Sequence, residues 1–292
     1  MSTFPASTGT GDIDLEFLRT WIGKETIDDD VLSSRHARLM AATLGLAQDA
    51  FVDGAELPPL WHWLYFLEGL PAGELGRDGH PARGGFLPPV PLPNRMWAGG
   101  RLEFRAPLAL GSRVRKRSAV RSVEHKRGRS GNLVFVTVRH EILDGDRVAI
   151  TEDQDLVYKQ PGLPGAAPSP STASAAGLQA SHSELFEATS TLLFRYSALT
   201  FNGHRIHYDQ DYCRKVEGYA NLVIHGPLQA TLLAGMAARL GAGPLRHFRY
   251  RALRPSLLGT ALTVNAAVMA DGLSLWTAQP DGSVSMQAEA TF

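Results

Sequence analysis

The sequence predicts an α+β protein in which an antiparallel sheet wraps one long helix, and in which this plan occurs twice. The clearest signal is a helix over residues 227–240, because Pro227 stands at a first helical position and Gly241 follows the end. Short strand-like runs, separated by turn residues, fill the later part of both halves. A charge-free, proline-rich stretch at 161–178 divides the 292 residues into two parts of domain size.

The first half begins with a loose terminus at residues 1–12 and a helical pattern over residues 15–46. Within that pattern, a half-buried helix of about 14 residues is expected after Asp30, which is its expected N-cap. An aromatic cluster behind two prolines, residues 58–67, is expected to anchor the core. The proline-rich segment 84–93 suits neither a helix nor a paired strand, so it predicts an ordered loop that is either a lid over a substrate tunnel or a surface excursion. Four strands are predicted here, at residues 101–104, 113–122, 133–143 and 148–157.

The second half repeats the plan after the linker. A strand is expected over residues 185–196, then a short helix from Asp209 to Gly218, and then the long helix. The last four strands are predicted at residues 245–253, 261–269, 273–278 and 284–292. The predicted division of the chain is an N-terminal domain, a linker and a C-terminal domain, at residues 1–160, 161–180 and 181–292.

Composition excludes several classes of protein. The 29 basic and 29 acidic side chains cancel, so neither nucleic acid nor an anionic membrane is an expected partner, and no run of about 18 apolar residues predicts a membrane span. Cys213 is the single cysteine and the first residues show no secretory signal, which together favour a cytoplasmic location. No metal-ligand spacing and no glycine-rich phosphate loop is found, so no metal and no cofactor is predicted. A homodimer is left open.

One stretch concentrates residues suited to proton transfer just ahead of the long helix. It reads Tyr-Ser-Ala-Leu-Thr-Phe-Asn-Gly-His-Arg-Ile-His over residues 196–207 and Val-Ile-His-Gly-Pro-Leu over residues 223–228. These segments resemble the hydratase motif of the MaoC-like enzymes, which is Asp-x-Asn-Pro-x-His followed by His-Gly-hydrophobe. The resemblance is strongest to the branch that contains the type 2 hydroxyacyl-thioester dehydratases and the hydratases of mesaconyl-C4-CoA (3-methylfumaryl-CoA).

This resemblance implies a double hot-dog fold and a hydratase or dehydratase that adds water across the C=C bond of an enoyl thioester. Within that branch the implied reaction converts 3-methylfumaryl-CoA to citramalyl-CoA, and the alternatives are itaconyl-CoA or a 3-hydroxyacyl group. The expected partner is therefore an acyl thioester carried by coenzyme A or by an acyl-carrier protein. A function of another class stays open, namely a hot-dog protein that only binds acyl thioesters or hydrolyses them as a thioesterase.

The motif also implies roles for two residues in the chemistry. His207 matches the catalytic histidine, and histidine moves protons readily near neutral pH. Gly226 matches the glycine that holds the oxyanion, and the free N–H groups at a helix start favour a developing negative charge.

The neighbouring polar residues receive supporting or undecided roles. Asn202 stands where the family has aspartate, and an amide cannot accept a proton, so it is expected to orient water or the imidazole. His204 stands at the family's asparagine and is either a second functional group or a structural histidine. His225 is expected to hold the turn, and Asp209 and Asp211 to cap helices.

Four arginines fall on one face of the run 113–122 by period two: Arg113, Arg115, Arg117 and Arg121. They form either a solvated face of the sheet or a contact surface for the phosphates of coenzyme A, which guanidinium groups bind well. The first half has no counterpart of the motif. We therefore expect it to be a degenerate copy that supplies walls and coenzyme A contacts, while the second half supplies the reacting groups.

Overall fold

Residues 13–128, 131–160 and 179–292 are described by a computed structural model. In these ranges the first half contributes the strands β1 (Glu25–Val31), β2 (Asn94–Phe104), β3 (Arg113–Gly128), β4 (Gly131–Asp144) and β5 (Arg147–Lys159). The second half contributes β6 (His182–Phe186), β7 (His247–Ala252), β8 (Leu262–Met269), β9 (Gly272–Ala278) and β10 (Val284–Thr291). They form one antiparallel sheet in the order β1-β3-β4-β5-β2-β7-β10-β9-β8-β6. The predicted terminus 1–12 and the linker residues 161–178 lie outside the described residues.

The two halves join through the pairing of β2 with β7. The register places Gly99 opposite Arg251 and Gly100 opposite Tyr250. A Cβ atom on Gly99 would lie 2.5 Å from the Tyr250 carbonyl oxygen, so a larger residue does not fit at this crossing. The two sheets of the predicted double hot-dog are therefore continuous, edge to edge.

The helices of the described part are α1 (Leu15–Arg19), α2 (Ser34–Thr43), α3 (Ser190–Leu199), α4 (Gln210–Lys215) and α5 (Gly226–Leu240). The predicted long helix is confirmed as α5, which begins one residue earlier than expected and has Pro227 in its first turn. It packs across β7 to β10 and buries Leu228, Leu233 and Met236. None of the helices in the described ranges has the length and apolar character needed to cross a membrane.

The helical pattern predicted over residues 15–46 is wrong in its middle. β1 occupies that part and lies antiparallel to β3, where Asp29 faces Arg115. Their side chains are hydrogen-bonded at 2.8 Å, and opposite charges directly across a strand pair stabilise the pairing. Asp30 lies in this strand and is not the cap of α2, because Ser33 provides the cap.

The strand predicted over residues 185–196 is also wrong beyond Phe186. Thr189 caps α3 by accepting a hydrogen bond at 3.1 Å from the backbone N–H three residues later. Leu193 and Tyr196 then lie buried at helical spacing. Leucine and aromatic residues suit a strand as well as a helix, and the cap at Thr189 is what separates the two here.

The other predicted strands are confirmed, and β2 to β5 are longer than their sequence signals. Trp61 and Leu64 of the aromatic cluster are buried, as a core anchor requires. One buried apolar cluster contains Met40 and Leu102 from the first half together with Leu233 from the second. The halves share a core, so a ligand site between them is built from both.

Candidate active site

A cavity of about 610 Å³ lies between the two halves. Its first-half wall includes Trp63, Phe66 and two loop residues, Asp78 and His80. Its second-half wall includes most of residues 200–207, the start of α5 and the segment 252–255. A cavity of this size and mixed lining is typical of a small-molecule site.

The cavity is lined by four of the residues predicted for the site: Asn202, His204, His207 and Gly226. They come together because α3 ends just before them, and a 3-10 turn at Arg205–His207 carries the chain on toward α4. The N–H of Val223 donates to the Ile206 carbonyl at 2.9 Å, which ties this turn to the segment that leads into α5. The two parts of the sequence motif therefore form one wall.

The surroundings of His207 keep its ring neutral and leave one ring nitrogen free. The ring is buried, and its Nδ1 lies 2.7 Å from the Val223 carbonyl oxygen, which can only accept a hydrogen bond, so Nδ1 carries the proton. Its Nε2 is unprotonated and has no partner among the described residues. Burial lowers the pKa of His207 to about 4, against the opposite effect of the backbone hydrogen bond, so the ring is neutral at pH 7. A neutral imidazole with a free Nε2 is able to take a proton.

Asn202 and His204 shape the loop between α3 and that turn. Asn202 Oδ1 accepts a hydrogen bond from the His204 N–H at 3.0 Å, as in an Asx turn. The ring of His204 lies 4.1 Å from that of His80 and 5.4 Å from that of His207, measured between centroids. Burial is the main reason that the pKa of His204 falls to about 2, and the two neighbouring histidines lower it further. His204 is therefore a neutral ring beside two other imidazoles.

The two residues predicted to support the site lie outside the cavity wall. His225 is fully buried and its ring stacks on His207 with 3.6 Å between centroids. Its Nε2 lies 2.8 Å from the Ser197 hydroxyl oxygen, which fixes the plane of the ring. Asp209 caps α4, as predicted, and its carboxylate pairs with Arg205 at 2.7 Å. His225 thus stacks against the ring of His207, and Asp209 caps the helix that follows it.

The start of α5 presents a free backbone donor to the cavity. No described residue accepts a hydrogen bond from the N–H of Gly226. The atom nearest to a Cβ built on Gly226 would be the methyl carbon of Met286 at 3.9 Å, so the space on the side where a side chain would stand is open. A free N–H at the positive end of a helix, next to open space, is suited to an oxyanion.

None of the arginines predicted on one face of β3 lines the cavity: Arg113, Arg115, Arg117 and Arg121 are all exposed on the outer side. Arg115 pairs with Asp29, and Arg117 pairs with Glu141. The cation that β3 contributes to the cavity is Lys116. The predicted contact of these arginines with coenzyme A remains a prediction. The position of the arginines outside the cavity does not support it.

The sequence-based prediction missed Asp78 and His80. They belong to the long loop before β2, and both line the cavity with a hydrogen bond of 3.0 Å between them. The only local signal is a carboxylate and an imidazole two residues apart in a segment otherwise rich in proline and glycine. Their approach to the motif of the second half is a tertiary contact, which no local pattern shows.

Comparison with known proteins agrees with this geometry. The sequence profile of the family described as hydroxyacyl-thioester dehydratase type 2 matches residues 60–258, which is more than half of the chain. The chain belongs to this family. The mesaconyl-C(4)-CoA hydratase of Chloroflexus aurantiacus is 42% identical over 272 residues, which cover 92% of this chain and 95% of that protein.

Solved structures support the fold of this dehydratase family member. A MaoC-like dehydratase from Phytophthora capsici superposes with a TM-score of 0.72 at 14% identity, over 96% of this chain and 97% of that one. A Mycobacterium tuberculosis protein with a double hot-dog fold gives a TM-score of 0.56 at 16% identity, over 93% and 96% of the two chains. The fold is a double hot-dog, and the chain is an enzyme of the hydro-lyase class, as hydratases and dehydratases are.

Proposed function

We propose that the enzyme hydrates an enoyl-CoA that carries a free carboxylate, with 3-methylfumaryl-CoA (mesaconyl-C4-CoA) as substrate and citramalyl-CoA as product. The observation that carries this proposal is the pairing of an unprotonated Nε2 on His207 with a free N–H on Gly226 in one cavity wall. The 42% identical relative named for this substrate supports the choice of acyl group.

The reaction needs a base for water and a donor for the thioester oxygen. Water adds to the β carbon while His207 Nε2 takes one of its protons, and the C=C electron pair moves toward the thioester as an enolate. The N–H of Gly226 donates a hydrogen bond to the enolate oxygen. The His207 imidazolium then returns its proton to the α carbon, so the base is unprotonated again at the end of the cycle. His225, stacked behind His207, keeps the ring aligned for both transfers.

The substrate carboxylate requires a cation close to the base, because it is bonded to the carbon that water attacks. Among the residues that the structure describes, three cationic side chains line the cavity: Arg95, Lys116 and Arg254. Lys116 lies 3.7 Å from Asp28, and Arg254 lies 4.0 Å from Asp281. Arg95 forms no salt bridge with a carboxylate among the described residues, and its charge helps to lower the pKa of the partly buried His204. We assign Arg95 to the substrate carboxylate.

Replacing Arg95 by glutamine is expected to raise the KM for 3-methylfumaryl-CoA by roughly tenfold or more, since a charge-assisted hydrogen bond contributes about 1.5–3 kcal/mol. Crotonyl-CoA has no free carboxylate, so its turnover should change by less than about threefold. The ratio of kcat/KM for the two substrates measures this. The matched control is Arg249→Gln, an exposed arginine paired with Glu289. Equal loss with both substrates would show that Arg95 does not select the carboxylate.

The proposed function is tested with purified enzyme and a panel of 3-methylfumaryl-CoA, itaconyl-CoA, crotonyl-CoA and a 3-hydroxyacyl carrier-protein thioester. We expect the enoyl-thioester absorbance to fall fastest with 3-methylfumaryl-CoA and no free thiol to appear. Turnover of itaconyl-CoA or of the carrier-protein thioester alone would contradict the substrate. Release of free thiol without hydration would contradict the reaction.

A further inference from the structure

A hairpin of the first half docks on the catalytic motif of the second. Residues 74–82 form it, closed by backbone hydrogen bonds of 2.7 and 2.9 Å. At its tip Gly79 has φ +87°, and a Cβ on it would lie 2.0 Å from the Gly203 carbonyl oxygen, so only glycine permits this approach. The N–H of Arg205 donates to the Asp78 carbonyl oxygen at 2.9 Å. Backbone atoms make these two contacts, and the Arg205 side chain adds a hydrogen bond of 3.2 Å to the Arg77 carbonyl oxygen.

Two of these side chains, Asp78 and His80, form a hydrogen-bonded pair at the cavity wall. His80 Nδ1 lies 3.0 Å from Asp78 Oδ2, and the His80 N–H donates to Oδ1 of the same carboxylate at 3.1 Å. Burial alone would raise the pKa of Asp78, but the hydrogen bonds from the His80 side chain and backbone N–H hold that pKa below its ordinary value. Burial lowers the pKa of His80, against the effect of Asp78. An ionised carboxylate beside a neutral imidazole places the proton on Nδ1, which leaves Nε2 as an acceptor.

The site therefore contains two imidazoles with the same tautomer. The Nδ1–H of His207 donates a hydrogen bond to a backbone carbonyl, and the Nδ1–H of His80 donates one to a carboxylate. Both rings therefore have Nε2 as a hydrogen-bond acceptor. Both rings line the cavity and both neighbour His204. A water molecule has two hydrogens to donate. Two acceptors engage both of them and turn an oxygen lone pair toward the substrate, which is the orientation that addition requires.

We propose that Asp78 and His80 supply the second acceptor for the attacking water, in place of the aspartate that the family motif has where this chain has Asn202. This inference rests on the proposed hydratase function. His80 Nε2 holds one hydrogen of the water while His207 Nε2 removes the other, and the proton taken by His207 later goes to the α carbon. His80 neither gains nor loses a proton over the cycle, and Asp78 is a positioning residue that fixes its tautomer.

Steady-state kinetics of four variants on 3-methylfumaryl-CoA test this proposal. Asp78→Asn and His80→Leu are expected to lower kcat by about 10²-fold or more, as loss of an orienting group or of the correct tautomer does, with KM within about threefold of wild type. His80→Gln should recover part of kcat, because its amide oxygen accepts a hydrogen bond where Nε2 did. The matched control is Glu74→Gln, an exposed acidic residue of the same hairpin that does not line the cavity, and it should keep wild-type kinetics.

Two results would overturn the proposal. In the first, Asp78→Asn and His80→Leu keep kcat within about threefold of wild type while His207→Gln is inactive. This result would remove Asp78 and His80 from the mechanism and leave the hydratase function in place. A wild-type enzyme that does not hydrate the substrate would instead contradict the proposed function itself.

The other result that would overturn the proposal is metal binding, because one ligand atom from each of Asp78, His80 and His204 lies within 4.8 Å of the others. One equivalent of divalent metal in purified wild type, lost in Asp78→Asn, would mean that the pair holds a cation and not water.

Discussion

Replacing His207 by glutamine is expected to lower kcat for hydration by about 10²–10⁴, which is the usual contribution of a positioned general base. Glutamine keeps much of the buried volume beside the His225 ring, but its amide cannot take a proton. KM should change little, because the lost interaction belongs to proton transfer and not to substrate binding. The measurement is steady-state kinetics with 3-methylfumaryl-CoA, together with the melting temperature of the variant.

The control for this change is His182→Gln, because His182 is an exposed histidine at the start of β6. It should keep wild-type kinetics. The wild type should also show a level kcat/KM for hydration from about pH 8 to about pH 5, since burial lowers the pKa of His207 to about 4 and the base is lost only as the pH falls toward that value. Activity of His207→Gln within about threefold of wild type, or an acid limb centred near the ordinary histidine pKa, would contradict the assignment.

Replacing Gly226 by proline is expected to lower kcat by about 10²–10³, the usual effect of removing one oxyanion donor. Proline deletes the N–H at the first helical position, where a helix tolerates it. The preceding residue His225 has φ −56° and ψ 131°, which is the extended conformation that a residue before proline prefers. The conformation of His225 is therefore compatible with the change, and the melting temperature of the variant checks that it folds.

Gly226→Ala is the matched control for the proline variant. It keeps the N–H, and its Cβ would approach no atom closer than the Met286 methyl carbon at 3.9 Å. Its kcat should fall by less than about tenfold, so the difference between the two variants isolates the donor. Equal activity of the proline and alanine variants would show that the N–H of Gly226 does not stabilise the oxyanion.

The parts of the fold and of the site that the sequence predicts are those with local sequence signals. The long helix carries proline at its start and glycine after its end, and the strands of the second half follow turn residues. The four motif residues are close in sequence or adjoin the helix start, so their meeting in one wall follows from a single turn. Local sequence signals therefore predict both the long helix and the wall of the site that the second half forms.

The parts that the sequence does not predict depend on contacts between distant segments. β1 pairs along its whole length with β3, and within that pairing Asp29 meets Arg115 on the side away from the cavity. The continuity of the sheet depends on how closely Gly99 approaches β7. Asp78 and His80 join the site through the hairpin that docks on the motif. The first half was expected to provide only walls and coenzyme A contacts, and the proposed water site gives it a part in the chemistry.

In the proposed reaction, this cavity adds water to a C=C bond and leaves the thioester intact. Incubation of wild type and 3-methylfumaryl-CoA in ¹⁸O-labelled water, followed by mass spectrometry of the intact acyl-CoA, tests it most directly. We predict that the label appears in the new hydroxyl group of citramalyl-CoA, and that His207→Gln forms almost none of this product. Label found in the carboxylate of a released acid, with free coenzyme A, would contradict the claim.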